Sequence, residues 1–290
     1  MPSPSALLRY ALLATPILFV VVFLLGPLAV TFLWSVWERD GFTVRPGFTL
    51  EHYAAFFAGV RVFVLERGFV VAAAVTAVSL VIAYPIAYFL AMRVRPEVAR
   101  AVLLLFTVPF LVNYVIRNFA LAYLLSRSGP VNQALIAIGL VDRAVDWLLF
   151  SDFAVFTGLI ASYMPFMIYP LWLALAGIDR RLVEASWLLG ADPRVTFLRV
   201  TLPLSMPGVF AAAIFGFAGS FGESAVPIIL GGVGYQLMGN TITSALDVLN
   251  YPLAAAMSSV VVALMLVFLI AWYAAFDIRS FLGKIVYWRY

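Results

Sequence analysis

Two charged side chains stand inside long apolar stretches of this chain: Glu223, in AGSFGESAV, and Arg117, in NYVIRNFA. An ionisable group in such a setting is costly to place and is a functional-site candidate by default. A carboxylate at position 223 offers an acceptor for an ammonium group, with Phe221, Tyr114 and Tyr123 as aromatic neighbours whose ring faces attract cations. Gly216 and Gly219 fall on the same helical face as Glu223 if one helix carries all three. Small residues on that face admit a neighbouring helix and turn the carboxylate away from lipid. Arg117, with Asn113 one turn before it, supplies the opposite charge. Each charge lies about 10 Å in from the outer end of its stretch, at about 1.5 Å per residue. Three readings of the pair stay open: a substrate contact, a structural ion pair, or a water-lined position serving neither.

The elements that must hold these groups are set by composition. Hydrophobic residues make up 65% of the 290 and charged residues 11%, with a mean hydropathy of +1.07. A soluble domain of this size could not hide that much apolar surface from water, so the chain is an integral membrane protein. The absence of cysteine excludes disulfides, thiolate metal sites and cysteine nucleophiles, and a single histidine, His52, excludes a histidine metal cluster. His52 falls in an outer loop, 38–66, where a solvated histidine is expected. Although the sequence pI is about 9.4, 17 of the 18 basic residues are arginines scattered at the ends of apolar runs. That pattern sets topology and gives no reason to expect a nucleic-acid partner. No G-x-x-x-x-G-K-[ST] phosphate loop occurs, so ATP hydrolysis by that route is excluded for this chain.

Six apolar runs are long enough to cross a bilayer core, near 11–37, 67–92, 101–124, 153–177, 205–230 and 252–276. Helix is the expected spanning form, since the runs lack the alternation of barrel strands. The first run is too long for a signal sequence and no A-x-A site follows it, so it is read as a retained helix. With the N-terminus in the cytoplasm, the inner segments carry eleven bases against five acids and the outer ones six bases against eight acids. The positive-inside rule then puts both termini inside. Trp34, Trp37, Trp147 and Trp272 lie near the ends of runs, as interfacial anchors do.

One inner segment has internal structure of its own: EASWLLGADPRVTFLRVTLP, from Glu184 to Pro203. Arg181 to Leu189 are good helix formers, and Gly190 can supply the left-handed residue that ends such a helix. Asp192-Pro193 reads as an N-cap with proline at the first helical position. A short helix, a tight turn and a second short helix follow. Leu202-Pro203 closes the segment, and Ser205 with Pro207 is expected to cap and start the fifth crossing.

Glu184-Ala185-Ser186, Gly190 and Val200-Thr201-Leu202-Pro203 resemble the EAA loop of ABC-type importer permeases, E-A-A-x3-G-x9-I-x-L-P, with Ser186 and Val200 as departures. PFLVNYVIRNFALAYLLSRSGPVNQAL, SDFAVFTGLIASYMPFMIYPLWLALAGID, GESAVPIILGGVGYQLMGNTI and NYPLAAAMS resemble spermidine and putrescine permeases in particular. Gly231-Gly232 and Asn240 also match that pattern, in a region the resemblance turns toward the pore mouth. Together these stretches cover most of residues 65–276. The resemblance implies an all-α polytopic membrane protein with six transmembrane helices, of the type I ABC importer permease (MetI-like) architecture. It divides the chain into 1–64, a first helix and outer loop; 65–276, the core with the EAA loop at 181–203; and 277–290, a cytoplasmic tail.

It further implies a bacterial inner-membrane subunit for polyamine import, without a cofactor of its own. The implied partners are an ABC ATPase dimer that binds ATP and Mg, a second permease subunit, and an extracytoplasmic substrate-binding protein. The loop would couple to the ATPase through Gly190, Ala191 and Asp192 at its tip. Glu184 and Ala185 would stand on its first helix, and Leu202 and Pro203 at its close. Relatives carrying iron, phosphonates or opines share the architecture, which leaves the substrate class open. A stand-alone secondary transporter is the alternative from another class, disfavoured by the lack of a repeat or a charged relay. An intramembrane enzyme lacks paired catalytic groups.

Overall fold

The computed structural model describes residues 14–275, and its elements are almost all helical. They form two compact units, one of residues 14–62 with Ile242–Ala271 and one of Phe63–Thr241 with the residues from Trp272. The first of these divisions falls between Val62 and Phe63, and most of the last apolar run belongs to the first unit. The basic residues Arg9, Arg279, Lys284 and Arg289, used above for orientation, lie outside the described residues.

The first unit begins with α1 (Ala14–Ser35), followed by a hairpin of β1 (Glu38–Asp40) and β2 (Thr43–Arg45) and by α2 (Glu51–Phe57). Helix α1 exposes apolar side chains along its length, as a lipid-facing helix must. It widens to a π turn at Val21–Leu25, just before Pro27, whose ring would crowd the carbonyl four residues back in a regular helix. Ser35, at its end, is fully buried and bonds Tyr53 Oη on α2 at 2.7 Å.

The second unit is built on α3 (Arg61–Met92), α7 (Asp152–Ala176) and α9 (Pro193–Gly222), with α4 (Pro96–Leu111), α5 (Tyr114–Leu125), α6 (Pro130–Ala137) and α8 (Arg180–Leu188) between them. After α9 come α10 (Ala225–Leu230) and α11 (Met238–Asp247), within which the second unit gives way to the first, and then α12 (Tyr251–Ala275), most of which belongs to the first unit. Two apolar cores lie along α3 and α7. One gathers Val71 and Val75 with Ala154, Val155 and Leu159 near their N-termini; the other gathers Ala83, Ala87 and Leu90 with Met167, Ile168 and Leu171 near their C-termini. The two helices therefore run parallel. Helix α9 packs antiparallel on α7 through small residues: Gly208 faces Pro170, Leu171 and Ala174, Gly216 faces Met167, and Gly219 faces Tyr163. Such spacing lets backbones approach, which is how helices associate in lipid.

Among the described residues five helices are long and apolar enough to cross a membrane: Ala14–Ser35, Arg61–Met92, Asp146–Ala176, Pro193–Gly222 and Tyr251–Trp272. Three expectations need correction. The run 101–124 is not one helix: α4 and α5 meet at an extended Val112, and the Asn113 side chain accepts from Val115 N at 2.9 Å to start α5 afresh. The fifth crossing does not start at Ser205. Helix continues unbroken from Pro193 through a π turn at Phe197–Thr201, where the wider turn accommodates Pro203, and Ser205 is buried in it, bonded to Tyr84 Oη at 2.8 Å. That helix ends at Gly222, so Glu223 is not on the helix that carries Gly216 and Gly219; its backbone is extended (φ −70°, ψ 132°) and α10 follows.

Candidate functional site

Glu223 sits at the break between α9 and α10, and the break explains its surroundings. Its Oε1 accepts from the backbone amides of Ser224 (3.0 Å), Ala225 (2.9 Å) and Val226 (3.4 Å), the donors that the start of α10 leaves without intrahelical partners. Its Oε2 accepts from Tyr163 Oη on α7 at 2.6 Å, across the close α7–α9 contact at Gly219. The carboxylate thus caps one helix and ties it to another, at a position where a helix N-terminus favours negative charge. It remains half-buried and faces an open cleft.

That cleft, about 510 Å³, is walled by Tyr114 and Arg117 of α5, by Ser162, Tyr163 and Phe166 of α7, and by Ala218, Gly219, Gly222, Glu223 and Ser224 at the α9–α10 junction. Arg117 Nη2 reaches Ser162 Oγ at 3.5 Å. The ion pairs found among the described residues do not include one between Arg117 and Glu223. Both charges line one cavity, Arg117 reaching Ser162 and Glu223 holding Tyr163. Oε1 takes three of the four donors, and Oε2, holding only Tyr163, keeps a lone pair for one more cation or donor; the exposed Tyr114 ring offers such a cation an apolar, cation-attracting face.

The remaining sequence candidates fall elsewhere. Phe221 is 1% exposed and stacks on Phe217 with ring centres 5.7 Å apart, so it belongs to the core and not to the cleft. Asn113 spends its side-chain oxygen on capping α5. Tyr123 is exposed, two turns beyond Arg117 on α5. Tyr163, Ser162 and Phe166 were not singled out in the sequence; a tyrosine in SYMPF, mid-way along an apolar run, was the available signal.

The second feature is the turn between α7 and α9. Asp179 caps α8 by accepting from Arg181 N at 2.9 Å. At the other end Gly190 N donates to Trp187 O (2.9 Å) and Ala191 N to Ser186 O (3.0 Å), with Gly190 at φ +82°. These paired bonds around a left-handed glycine form the Schellman stop expected from the sequence. Asp192 Oδ1 then accepts from Val195 N at 2.7 Å, with Pro193 at the first helical position. At the tip, Leu188 and Leu189 are 90% and 89% exposed and Trp187 is more than half exposed. Glu184 and Ala185 are exposed on α8, while Leu202 and Pro203 lie inside α9 and break nothing. Three apolar side chains thus stand exposed together at the tip.

Beside the N-terminus of α7, Asp152 Oδ1 accepts from Arg67 Nη2 at 2.9 Å and from Tyr235 Oη at 2.6 Å, and Arg67 lies over the Tyr235 ring at 4.3 Å. Burial first, and then the bond to Asp152, push the Tyr235 hydroxyl up to about 12. Asn240 holds the same loop, accepting from Leu237 N and donating to Tyr235 O, both at 2.7 Å.

Residues 83–280 match the family described as "Binding-protein-dependent transport system inner membrane component". The chain is 36% identical over 241 residues to the spermidine/putrescine transport system permease protein PotB of Salmonella typhimurium, covering 81% of this chain and 82% of that one. It is 33% identical over 262 residues to PotB of Haemophilus influenzae, with 89% of each covered. Its fold matches a chain of a bacterial alginate ABC transporter, solved in complex with an alginate pentasaccharide-bound periplasmic protein, at a TM-score of 0.71 and 19% identity over 91% of both chains.

Proposed function

The chain belongs to the family of binding-protein-dependent transport system inner membrane components, and we propose that it is the permease subunit through which an ATP-driven importer passes spermidine or putrescine. The observation that carries the substrate class is its identity to polyamine permeases over four-fifths or more of its length. The chemistry of the cleft agrees: Glu223 offers charge to an ammonium group, and Tyr114 and Phe166 offer apolar walls to the methylenes between amines. A second permease subunit supplies the facing half of the pathway, and a binding protein delivers substrate from outside. The excess of arginine in the segments taken as inner supports placing both termini in the cytoplasm.

Energy enters through the turn at Gly190, Ala191 and Asp192. The exposed Trp187, Leu188 and Leu189 dock on an ATPase subunit, where ATP and Mg are bound, and closure of the ATPase dimer moves the turn. Arg117 in the same cleft favours a second reading, an anionic or metal-chelate cargo. The test is ATPase activity of the reconstituted complex with its binding protein across spermidine, putrescine, ferric iron and an aminophosphonate. Stimulation by polyamines alone is expected. Stimulation by iron or the aminophosphonate instead overturns the polyamine assignment and moves attention to Arg117.

A further inference from the structure

The two arms of the turn are joined by more than the chain between them. Ser186 Oγ on α8 lies 2.8 Å from Thr196 Oγ1 on the first turn of α9. Ser186 Oγ also donates to Val183 O at 2.7 Å. Its one proton is thereby used, so Thr196 is the donor between the hydroxyls. Thr196 is 4% exposed, and a buried hydroxyl deprived of its partner is destabilising, which gives the bond a fixed direction and a reason to persist. Serine at 186 stands where the resembling motif has its second alanine, so this bond is a property of this chain and not of the motif.

We propose that the Ser186–Thr196 hydroxyl pair is a brace that fixes the angle between α8 and α9, making the exposed tip and the 30-residue helix that follows it move as one body. This rests on the coupling role proposed for the turn. Without the brace, the tip is held to α9 by the Leu189–Asp192 turn and by backbone packing of α8 on the first turns of α9, with no side-chain bond between the arms to fix their angle, and a push on Leu188 and Leu189 would partly bend the turn. Ser186 and Thr196 are positioning residues; neither touches the cargo or the nucleotide.

The reconstituted complex provides the test, read as polyamine transported per ATP hydrolysed. Ser186→Ala and Thr196→Val should each lower that ratio about five-fold, the population change that follows from losing one hydrogen bond of about 1 kcal/mol. The double variant should do no worse than either single one, and Ser186→Thr should keep the ratio. Because the chain has no cysteine, the pair Ser186→Cys with Thr196→Cys gives a cross-link free of competing thiols. The oxidised, cross-linked protein should transport at the parent ratio. Loss of transport on cross-linking, with recovery on reduction, overturns the brace by showing that the arms must move apart. An unchanged ratio in Ser186→Ala and Thr196→Val overturns it as well. Failure of the parent chain to co-purify with an ATPase subunit would instead remove the coupling role on which the brace depends.

Discussion

Replacing Gly219 by alanine tests whether the close approach of α7 and α9 is what holds the Glu223 carboxylate. A Cβ at position 219 would lie 3.0 Å from Cζ of Tyr163 and closer still to Cδ1 and Cε1. A ring wedged between two helices is no flexible tail, so the helices must part or the ring must swing. Swinging takes the hydroxyl off Glu223 Oε2, now 2.6 Å away. Overpacking of this kind costs about 1–3 kcal/mol. A charge-assisted hydrogen bond contributes about 1.5–3 kcal/mol, with pairs in membranes reaching at most about 1.7. Taking about 1.5 kcal/mol for each effect, Gly219→Ala should destabilise the protein by about 3 kcal/mol and Tyr163→Phe by about 1.5. The bond can be lost only once, so the double variant should fall short of the sum of the two by about 1.5 kcal/mol. Unfolding of the detergent-solubilised protein measures all three. Strict additivity within about 0.5 kcal/mol, or a Gly219→Ala protein as stable as its parent, refutes the link between the glycine and the carboxylate.

Gly190→Val should abolish uptake while leaving membrane levels unchanged: a Cβ there meets nothing within 4 Å, so the damage is left-handed strain of about 1–2 kcal/mol at the tip and not a clash. Immunoblotting of membranes beside uptake checks this, and unimpaired uptake counts against the docking role. Glu223→Gln keeps an oxygen for the α10 amides but removes the charge; spermidine uptake should fall about ten-fold, the equivalent of about 1.4 kcal/mol, with expression intact. Uptake equal to the parent's would remove Glu223 from the pathway. Tyr235, held protonated in the folded state up to about 12 against an ordinary 10.0, should lend stability that is full below pH 10 and lost as pH climbs from 10 toward 12. Comparing unfolding of the parent and Tyr235→Phe across that window measures it, and a pH-independent difference would refute it.

What could be read from the sequence was whatever short-range chemistry fixes. The stop at Gly190, the cap at Asp192 and the proline after it are decided within five residues, and the structure forms each of them. The charges Glu223 and Arg117 stood out against apolar runs, and both line the cleft. Tyr163 did not stand out, because its role depends on a carboxylate sixty residues away and on a glycine that lets the helices close. Phe221 was assigned by adjacency to Glu223, yet the break after Gly222 turns the carboxylate out and leaves the ring in the core. Breaks at Val112 and Gly222 carry no proline of their own; each is stabilised by a side chain, Asn113 or Glu223, that caps the helix beyond it.

The continuity of α9 decides what the turn can do. A cap at Ser205 would have placed a joint between the turn and the crossing, and a joint absorbs displacement. Two prolines, Pro203 and Pro207, make such a joint plausible from sequence alone. The structure avoids it by widening one turn at Phe197–Thr201, where Leu202 N donates to Phe197 O, five residues back, and the helix runs on. Ser205, Tyr84 and the rings of Tyr84 and Tyr88 around Phe197 then brace that widened turn against α3. At about 1.5 Å per residue, the 30 residues from Pro193 to Gly222 form a rod about 45 Å long. Its one end begins at the capped turn beside the exposed leucines, and its other end stops at the carboxylate of the cleft. Helix therefore runs from Asp192 to Glu223 without a break in its hydrogen bonding, and the first break after the turn is at Glu223 itself, on the wall of the cleft.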